Sequence, residues 1–299
     1  MSTLETLASA PTAKNRGIGA VVRSAPVKVA VVLIAALWSL PTVGLLISSF
    51  RGKNAIDGTG WWTAIVHPFE SAQWTIQNYA DVLTADNMLN AFVNSLVVTI
   101  PATVIPITIA AFAAYAFAWM KFPGRSFLFA MVVGLLVVPL QMALIPILRT
   151  YTELEMNGTF LGLWLAHTGF GLPLAIYLLY NYISQLPKDL FESAFIDGAS
   201  HFTAFLRLVL PLSMPALASF AIFQFLWVWN DLLVALVFLG TGSEVAILTA
   251  ALNELVGTKG EAWHVLTAGA FVTMIVPLVV FLSLQRYFVR GLLAGSVKG

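Results

Sequence analysis

Long apolar stretches recur along the whole chain, separated by short polar segments. Six windows without Lys, Arg, Asp or Glu, apart from Asp231 in the fifth, cover residues 29–50, 87–120, 126–148, 156–187, 208–240 and 262–285. A helix needs roughly 20 apolar residues to cross a hydrocarbon core of about 30 Å. The pattern therefore predicts an all-α membrane protein with six transmembrane helices. We place a six-span domain at 29–290, with terminal tails at 1–28 and 291–299.

The composition agrees with lipid as the main solvent. Of the 299 residues, 59% are hydrophobic and only 10% are charged, whereas soluble domains carry about 25% charged residues. A formal net charge of +1 gives no indication of nucleic acid as a partner. The absence of cysteine excludes disulfides and thiol catalysis, and the four histidines have no i, i+4 pair. No metal site is expected.

The first window could also be a cleaved signal peptide. Its apolar run is longer than a typical signal core, and no small-x-small cleavage site closes it. We interpret it as an uncleaved first span. The next polar segment, 51–87, contains Trp61, Trp62, Trp74 and Tyr79, aromatic residues typical of the membrane interface. We interpret it as an interfacial belt with short helices.

Lys and Arg residues predict the orientation. With the N-terminus inside, eleven of the 15 Lys and Arg residues fall on the cytoplasmic side. Positive charge favours that side. We therefore expect a multi-pass protein of the bacterial cytoplasmic (inner) membrane with both termini in the cytoplasm.

The loop at 185–211 has the features of two short helices joined by a turn. Pro187 and Asp189 suit the first turn of a helix, Gly198 suits its end, and Ser200 suits the cap of a second helix. The apolar face of the first helix contains Leu190, Phe191, Ala194 and Phe195. The residues leave two interpretations open: a dock for a partner, or an amphipathic hairpin on the membrane.

The sequence of this loop resembles the EAA loop of binding-protein-dependent ABC importers. The matching stretch runs Glu192-Ser-Ala-Phe-Ile-Asp197-Gly198-Ala-Ser, followed by the distal Leu210-Pro211. Ser193 replaces the first Ala of the motif, and both residues are small. Further stretches resemble the MalG-like permeases of the carbohydrate branch: Asn78-Tyr79, Asn94-Ser95-Leu96, Ala114-Tyr115-Ala116-Phe117, Pro123-Gly124-Arg125, Trp229-Asn230-Asp231 and the ending 285–299. The fold implied is the MetI-like ABC importer permease fold.

The resemblance implies partners and a docking site. The loop would be a coupling helix seated in a homodimeric MalK-like ATPase, and the C-terminal tail would reach between the ATPase subunits. The implied docking residues are Glu192, Ala194, Asp197, Gly198, Ala199, Gly295, Ser296 and Lys298. A second, MalF-like permease subunit and an extracytoplasmic sugar-binding protein complete the implied assembly. The chain has no Gly-x-x-x-x-Gly-Lys-Ser/Thr loop, so Mg-ATP is expected on the ATPase and no cofactor on this chain.

A path for sugar needs hydrogen-bonding and aromatic side chains inside the bundle. The candidates are Asn94, Gln141, Gln224, Trp227, Asn230 and Asp231. A charged residue at the centre of a span costs about 2.5–3.5 kcal/mol on insertion scales, so Asp231 needs a partner or a function. A structural hydrogen bond between helices is the alternative. In the outer segment at 241–262, the resemblance assigns Glu244, Asn253 and Glu254 to the binding-protein contact; an ordinary connector is the alternative.

The function expected is that of a permease subunit, not an enzyme, that imports a sugar such as a disaccharide or α-glucoside. A secondary transporter would show several intramembrane charges, but only Asp231 is found. An intramembrane hydrolase would need a nucleophile beside a base; His167 has no nucleophile-elbow motif to go with it. A permease of the same family for a non-sugar solute is the third alternative.

Overall fold

The computed structural model describes residues 18–294 except 86, 241, 243 and 259–261. Every regular element in that part of the chain is helical. The α-helices are α1 Ile18–Ser49, α2 Lys53–Gly58, α3 Trp62–Val66, α4 Gln77–Ala85, α5 Met88–Trp119, α6 Arg125–Leu135, α7 Leu140–Glu153, α8 Phe160–Ile183, α9 Lys188–Ile196, α10 His201–Ala204, α11 Leu210–Trp229, α12 Leu233–Phe238, α13 Leu248–Thr258 and α14 Trp263–Ala294. A 3-10 turn covers Ser71–Gln73, and a π-helical turn covers Phe205–Val209.

Five helical segments within the described residues are long and apolar enough to cross a membrane. They are Pro26–Ser49, Met88–Trp119, Phe160–Ile183, His201–Trp229 and Trp263–Gln285. A sixth span is formed if α6 and α7, which meet at a bend of 102°, are taken together. The six predicted spans are confirmed in this sense.

The third span, predicted at 126–148, is sharply bent within that window. Helix α6 ends at Leu135, and α7 begins at Leu140 after Pro139. Proline disfavours helical backbone in the residue before it, here Val138, and it supplies no N–H of its own. The sharp break follows from these two effects.

The loop and the fifth span also differ from the expectation. The second short helix predicted after Ser200 is the beginning of the fifth span, because the helical segment His201–Trp229 is continuous. The π-helical turn Phe205–Val209 ends two residues before Pro211, whose missing N–H disturbs the regular bonding. At its other end the span stops at Trp229 rather than continuing to 240, and α12 follows separately.

Helix α5 forms the centre of the bundle and packs against α8 and α11, while α11 also packs against α14. The helix–helix contacts are made by small residues such as Ala102, Ala110 and Ala114, which are fully buried and allow close approach. Helix α1 packs on α14 at the periphery. Its apolar side chains are exposed, including Trp38 at 79%, as expected of a lipid-facing surface.

The segment between α1 and α5 contains the short helices expected of the interfacial belt. Arg51 holds it together: the guanidinium donates to the carbonyls of Ala55 and Thr59 and to Oε1 of Gln73. The side chain of Asn78 donates to the carbonyls of Ser49 and Arg51. Burial lowers the pKa of Arg51 below its ordinary value. The belt is thereby fastened to the C-terminal end of α1.

Candidate functional site

The turn after α9 has the conformation that only a few residues adopt easily. Gly198 has φ of +80°, and its N–H donates to the carbonyl of Phe195 while that of Ala199 donates to Ala194. This pair of bonds is the Schellman motif that ends helices at glycine. The side chain of Ser200 accepts a bond from the Thr203 N–H, which caps the next helix. Both local predictions are confirmed.

The inner face of α9 is seated on α5. The ring of Phe191, 1% exposed, stacks on Trp119 at the end of α5. The indole N–H of Trp119 donates to the carbonyl of Ile183 at the end of α8. One helical turn earlier on α5, the hydroxyl of Tyr115 lies 2.9 Å from Nδ1 of His201. The loop is thus attached to α5 on both sides of the Gly198 turn.

The outer face of the loop is open. We define the docking face as the exposed residues Glu192, Ser193, Ile196, Asp197, Gly198 and Phe202. Ile196 is 85% exposed and Phe202 62% exposed, so the docking face combines two acids with two large apolar groups. The predicted residues Ala194 and Ala199 are half-buried beside it. Glycine at 198 leaves free space, since a Cβ built there would meet nothing within 4 Å.

Three predicted docking residues cannot be placed with the others. Gly295, Ser296 and Lys298 lie outside the described residues. Helix α14 runs to Ala294, directly before them.

A cavity of about 700 Å³ opens between α6, α7, α8 and α11. Two predicted path residues, Gln224 and Trp227, belong to its lining and lie one helical turn apart on α11. The other polar lining groups are the hydroxyls of Thr150 and Tyr151, and the lining contains no charged residue. The exposed Gln141 of α7 is not part of the lining.

Gln224 also joins three helices. Its Nε2 donates to the carbonyl of Ala102 on α5, 3.1 Å away, and the side chain is 1% exposed. A Cβ at Gly171 of α8 would lie 2.6 Å from its Oε1. Close approach of α8 to α11 therefore requires glycine at 171.

Asp231 lies in the break between α11 and α12. Its carboxylate accepts the backbone N–H groups of Val234 and Ala235, so it caps α12 and favours the positive end of that helix. Its Oδ2 is 3.8 Å from Nε2 of His167 on α8, a side chain that is 1% exposed. The ring of His167 meets Trp227 edge-on at 5.3 Å. Asp231 therefore connects, through His167, to the aromatic group in the cavity wall.

The remaining predicted path residues make structural contacts outside the cavity. The side chain of Asn94 donates to the carbonyls of Glu244 and Ala246. That of Asn230 donates to the carbonyl of Leu226 in its own helix. Asn94 thus holds the segment that precedes α13 against α5.

The outer segment predicted to contact a binding protein is largely helical. In α13, Leu248, Ala251 and Leu255 are buried, and the helix packs on α5 and α14. Asn253 and Glu254 lie on its exposed side, and Glu244 is exposed in the loop before it. All three predicted residues therefore face outward, on two neighbouring elements.

Sequence reasoning did not identify Trp119 or Gly171. Trp119 lies at the end of the apolar window 87–120, where a tryptophan is typical of the membrane interface. Gly171 is one of three glycines in α8, and its contact with Gln224 exists only between helices.

Residues 17–293 match a family described as the binding-protein-dependent transport system inner membrane component. The chain is 63% identical to the osmoprotective compounds uptake permease protein GgtD of Synechocystis sp. over 91% of this chain and 92% of that protein. It is 46% identical to the alpha-glucoside transport system permease protein AglG of Rhizobium meliloti over 91% and 97%. A bacterial ABC transporter chain involved in alginate import has the same fold, with a TM-score of 0.74 at 18% identity over 91% and 98%.

Proposed function

Because the chain belongs to the family of binding-protein-dependent transport system inner membrane components, we propose that it is the MalG-like permease subunit of an ATP-driven sugar importer. A partner ATPase docks on the loop around α9 and supplies the energy. A second permease subunit completes the pathway, and an extracytoplasmic binding protein delivers the solute. The names of relatives such as AglG and a trehalose/maltose permease protein MalG support a sugar as substrate.

The observation that carries the ATPase partnership is the two-sided character of α9. One side is fixed to α5 through Phe191 and Trp119, and the other is the open docking face. A partner that pushes on the docking face would move α5, because the aromatic stack leaves little slack between the two helices. Helix α5 in turn packs on α8 and α11, which line the cavity. ATP must come from that partner, since this chain lacks a phosphate-binding loop.

The experiment compares the same substitution at two glycines. Gly198 and Gly158 have φ of +80° and +77°, and a Cβ at either would meet nothing within 4 Å. Gly198→Leu and Gly158→Leu therefore add the same backbone strain, about 1–2 kcal/mol, but only the first adds bulk to the docking face. We expect Gly198→Leu to abolish copurification of the ATPase with the coexpressed permease, and Gly158→Leu to retain it. Full retention by Gly198→Leu, or equal loss in both variants, would contradict the proposal.

The lining of the cavity favours an uncharged solute. No carboxylate or cationic group lies in it, whereas Gln224, Trp227, Thr150 and Tyr151 offer hydrogen bonds and an aromatic surface. These are the groups that recognise the hydroxyls and ring faces of sugars. Because a charge would be desolvated among apolar side chains at high cost, ionic solutes are disfavoured.

A second candidate substrate class is an osmoprotective compound, favoured by the 63% identity to GgtD. The neutral cavity restricts this class to polyhydroxyl solutes. Thermal-shift measurements on the partner binding protein decide the question: α-glucosides such as trehalose and maltose are compared with glycine betaine. Stabilisation by glycine betaine alone, which carries both a positive and a negative group, would contradict an uncharged polyhydroxyl substrate.

The proposed orientation places α9 and both termini in the cytoplasm of the bacterium. Eleven of the 15 Lys and Arg residues then lie inside, in agreement with the preference of cytoplasmic loops for positive charge. Helix α14 ends at Ala294, and we propose that residues 295–299, which follow it in the sequence, take part in ATPase docking.

A further inference from the structure

A second, smaller cavity lies in the turn between α5 and α6. Its volume is about 350 Å³, and its lining consists of Lys121, Phe122, Gly124, Arg125, Ser126 and Phe127. The proposed function gives this turn no task, although it contains the Pro123-Gly124-Arg125 stretch.

The two cations of this cavity have no ion-pair partner among the described residues. Among the described side chains, no carboxylate lies within 4.0 Å of Lys121 or Arg125. The guanidinium of Arg125 is held in place, because its Nη1 donates to the carbonyl of Met120 at 3.1 Å. Lys121 is exposed. Two positive groups with space between them favour an anion with several acceptor oxygens, such as a phosphate.

An aromatic frame fixes the turn against the bundle. Phe122 packs on Phe117 with ring centroids 6.0 Å apart, and Phe117 packs on Phe129 at 5.4 Å. Phe129 contacts Tyr180 of α8 at 4.3 Å. Gly124, with φ of +78°, makes the turn before α6. The cations therefore project from a supported turn.

An exposed apolar stripe begins at the rim of the cavity and follows α6. Phe127 is 68% exposed and Met131, one helical turn later, is 53% exposed. Leu128 beside them is 45% exposed. A ligand with a phosphate at one end and a hydrocarbon chain at the other would satisfy both the cations and the stripe.

We infer that this cavity binds the headgroup of an anionic phospholipid from the cytoplasmic leaflet, with an acyl chain along Phe127 and Met131. The choice of leaflet rests on the orientation given under the proposed function. Basic pockets on the cytoplasmic side of membrane helices take such headgroups. The lipid would brace the turn between α5, the helix that receives the docking loop, and α6, which lines the larger cavity.

The test is native mass spectrometry of the purified transporter titrated with phosphatidylglycerol, phosphatidylcholine or inorganic phosphate. We expect phosphatidylglycerol adducts to exceed phosphatidylcholine adducts. The Lys121→Gln/Arg125→Gln variant should bind phosphatidylglycerol roughly thirty-fold more weakly, from the contribution of each basic group to anionic-lipid binding. Lys28→Gln, which removes an exposed cation from the same predicted side, is the control and should leave binding unchanged.

Two further variants keep the test decisive. Lys121→Gln alone avoids the Arg125 bond to Met120 and should weaken binding by about five-fold. Phe127→Ala should weaken the binding of phosphatidylglycerol without changing the binding of inorganic phosphate, because it removes only the apolar contact. Equal binding of both lipids, unchanged affinity in the double variant, or full competition by inorganic phosphate would overturn the lipid site. A photocrosslinking residue placed at position 127 that reacted with a protein subunit instead of lipid would also overturn the lipid site. None of these measurements depends on transport. The lipid site is therefore tested even if the proposed function as a sugar importer is wrong.

Discussion

The ring of Phe191 lies against the indole of Trp119, with ring centroids 3.8 Å apart and an angle of 18° between the planes. The contact joins the loop around α9 to the C-terminal end of α5. Trp119 is itself fixed by its bond to the carbonyl of Ile183 at the end of α8. The stack therefore links α9 to two spans at once.

Replacing Phe191 should uncouple the loop from the spans. Phe191→Ala removes a fully buried ring and should cost about 3–5 kcal/mol of stability. We expect a lower melting temperature and several-fold less solute taken up per ATP hydrolysed in reconstituted transporter. Phe202→Ala is the matched control, because Phe202 lies on the same loop with 62% of its surface exposed. Phe202→Ala should leave the melting temperature unchanged. An equal decrease in melting temperature in both variants would argue against a structural role for the Phe191–Trp119 stack.

Gly171→Ala should disturb the wall of the larger cavity. The added Cβ would meet the amide of Gln224 at 2.6 Å and push it from the carbonyl of Ala102. Loss of this buried hydrogen bond should cost about 1–3 kcal/mol and reduce uptake. Gly169→Ala, on the same helix and at the same cavity, would meet nothing within 4 Å. Melting temperatures and uptake of the two variants are compared, and equal behaviour would contradict the role of Gln224.

The two substitutions of Asp231 should separate its cap from its charge. Asp231→Asn keeps an N-cap of similar strength but removes the charge facing His167. We expect the transporter to assemble and its uptake to fall. Asp231→Ala also loses the cap of α12, which should cost about 1 kcal/mol and lower the melting temperature. Uptake at the wild-type level by Asp231→Asn would exclude Asp231 from the transport pathway.

Arg51→Met should loosen the outer belt. The substitution leaves the carbonyl of Thr59 and the Oε1 of Gln73 without the guanidinium donor, whereas the carbonyl of Ala55 keeps the Thr59 N–H. Each unsatisfied group costs about 1–3 kcal/mol, so we expect faster limited proteolysis between α1 and α5. Lys53→Met changes an exposed cation two residues away and should not alter the rate. Protection equal to that of the wild type in Arg51→Met would show that the belt is held by other contacts.

Several local features could be predicted because their causes are local. The apolar windows follow from the transfer of side chains to lipid, and Gly198 follows from the backbone that a helix end requires. The bend in the third span has a local cause as well, because Pro139 is visible in the sequence; the angle of 102° is not. Hydropathy measures how apolar a window is and says nothing about a bend.

The sequence by itself determined which windows are apolar enough to span lipid and that α9 ends before Gly198. Only the tertiary structure decided what the polar residues do. Asn94 bonds to a carbonyl 150 residues away, and Gln224 to one 122 residues away. Such partners are chosen by how helices pack, and packing depends on which small residues let two helices approach. For that reason Gln224 and Trp227 share a cavity wall, while Asn94 and Asp231, equally polar in the sequence, hold neighbouring elements in place.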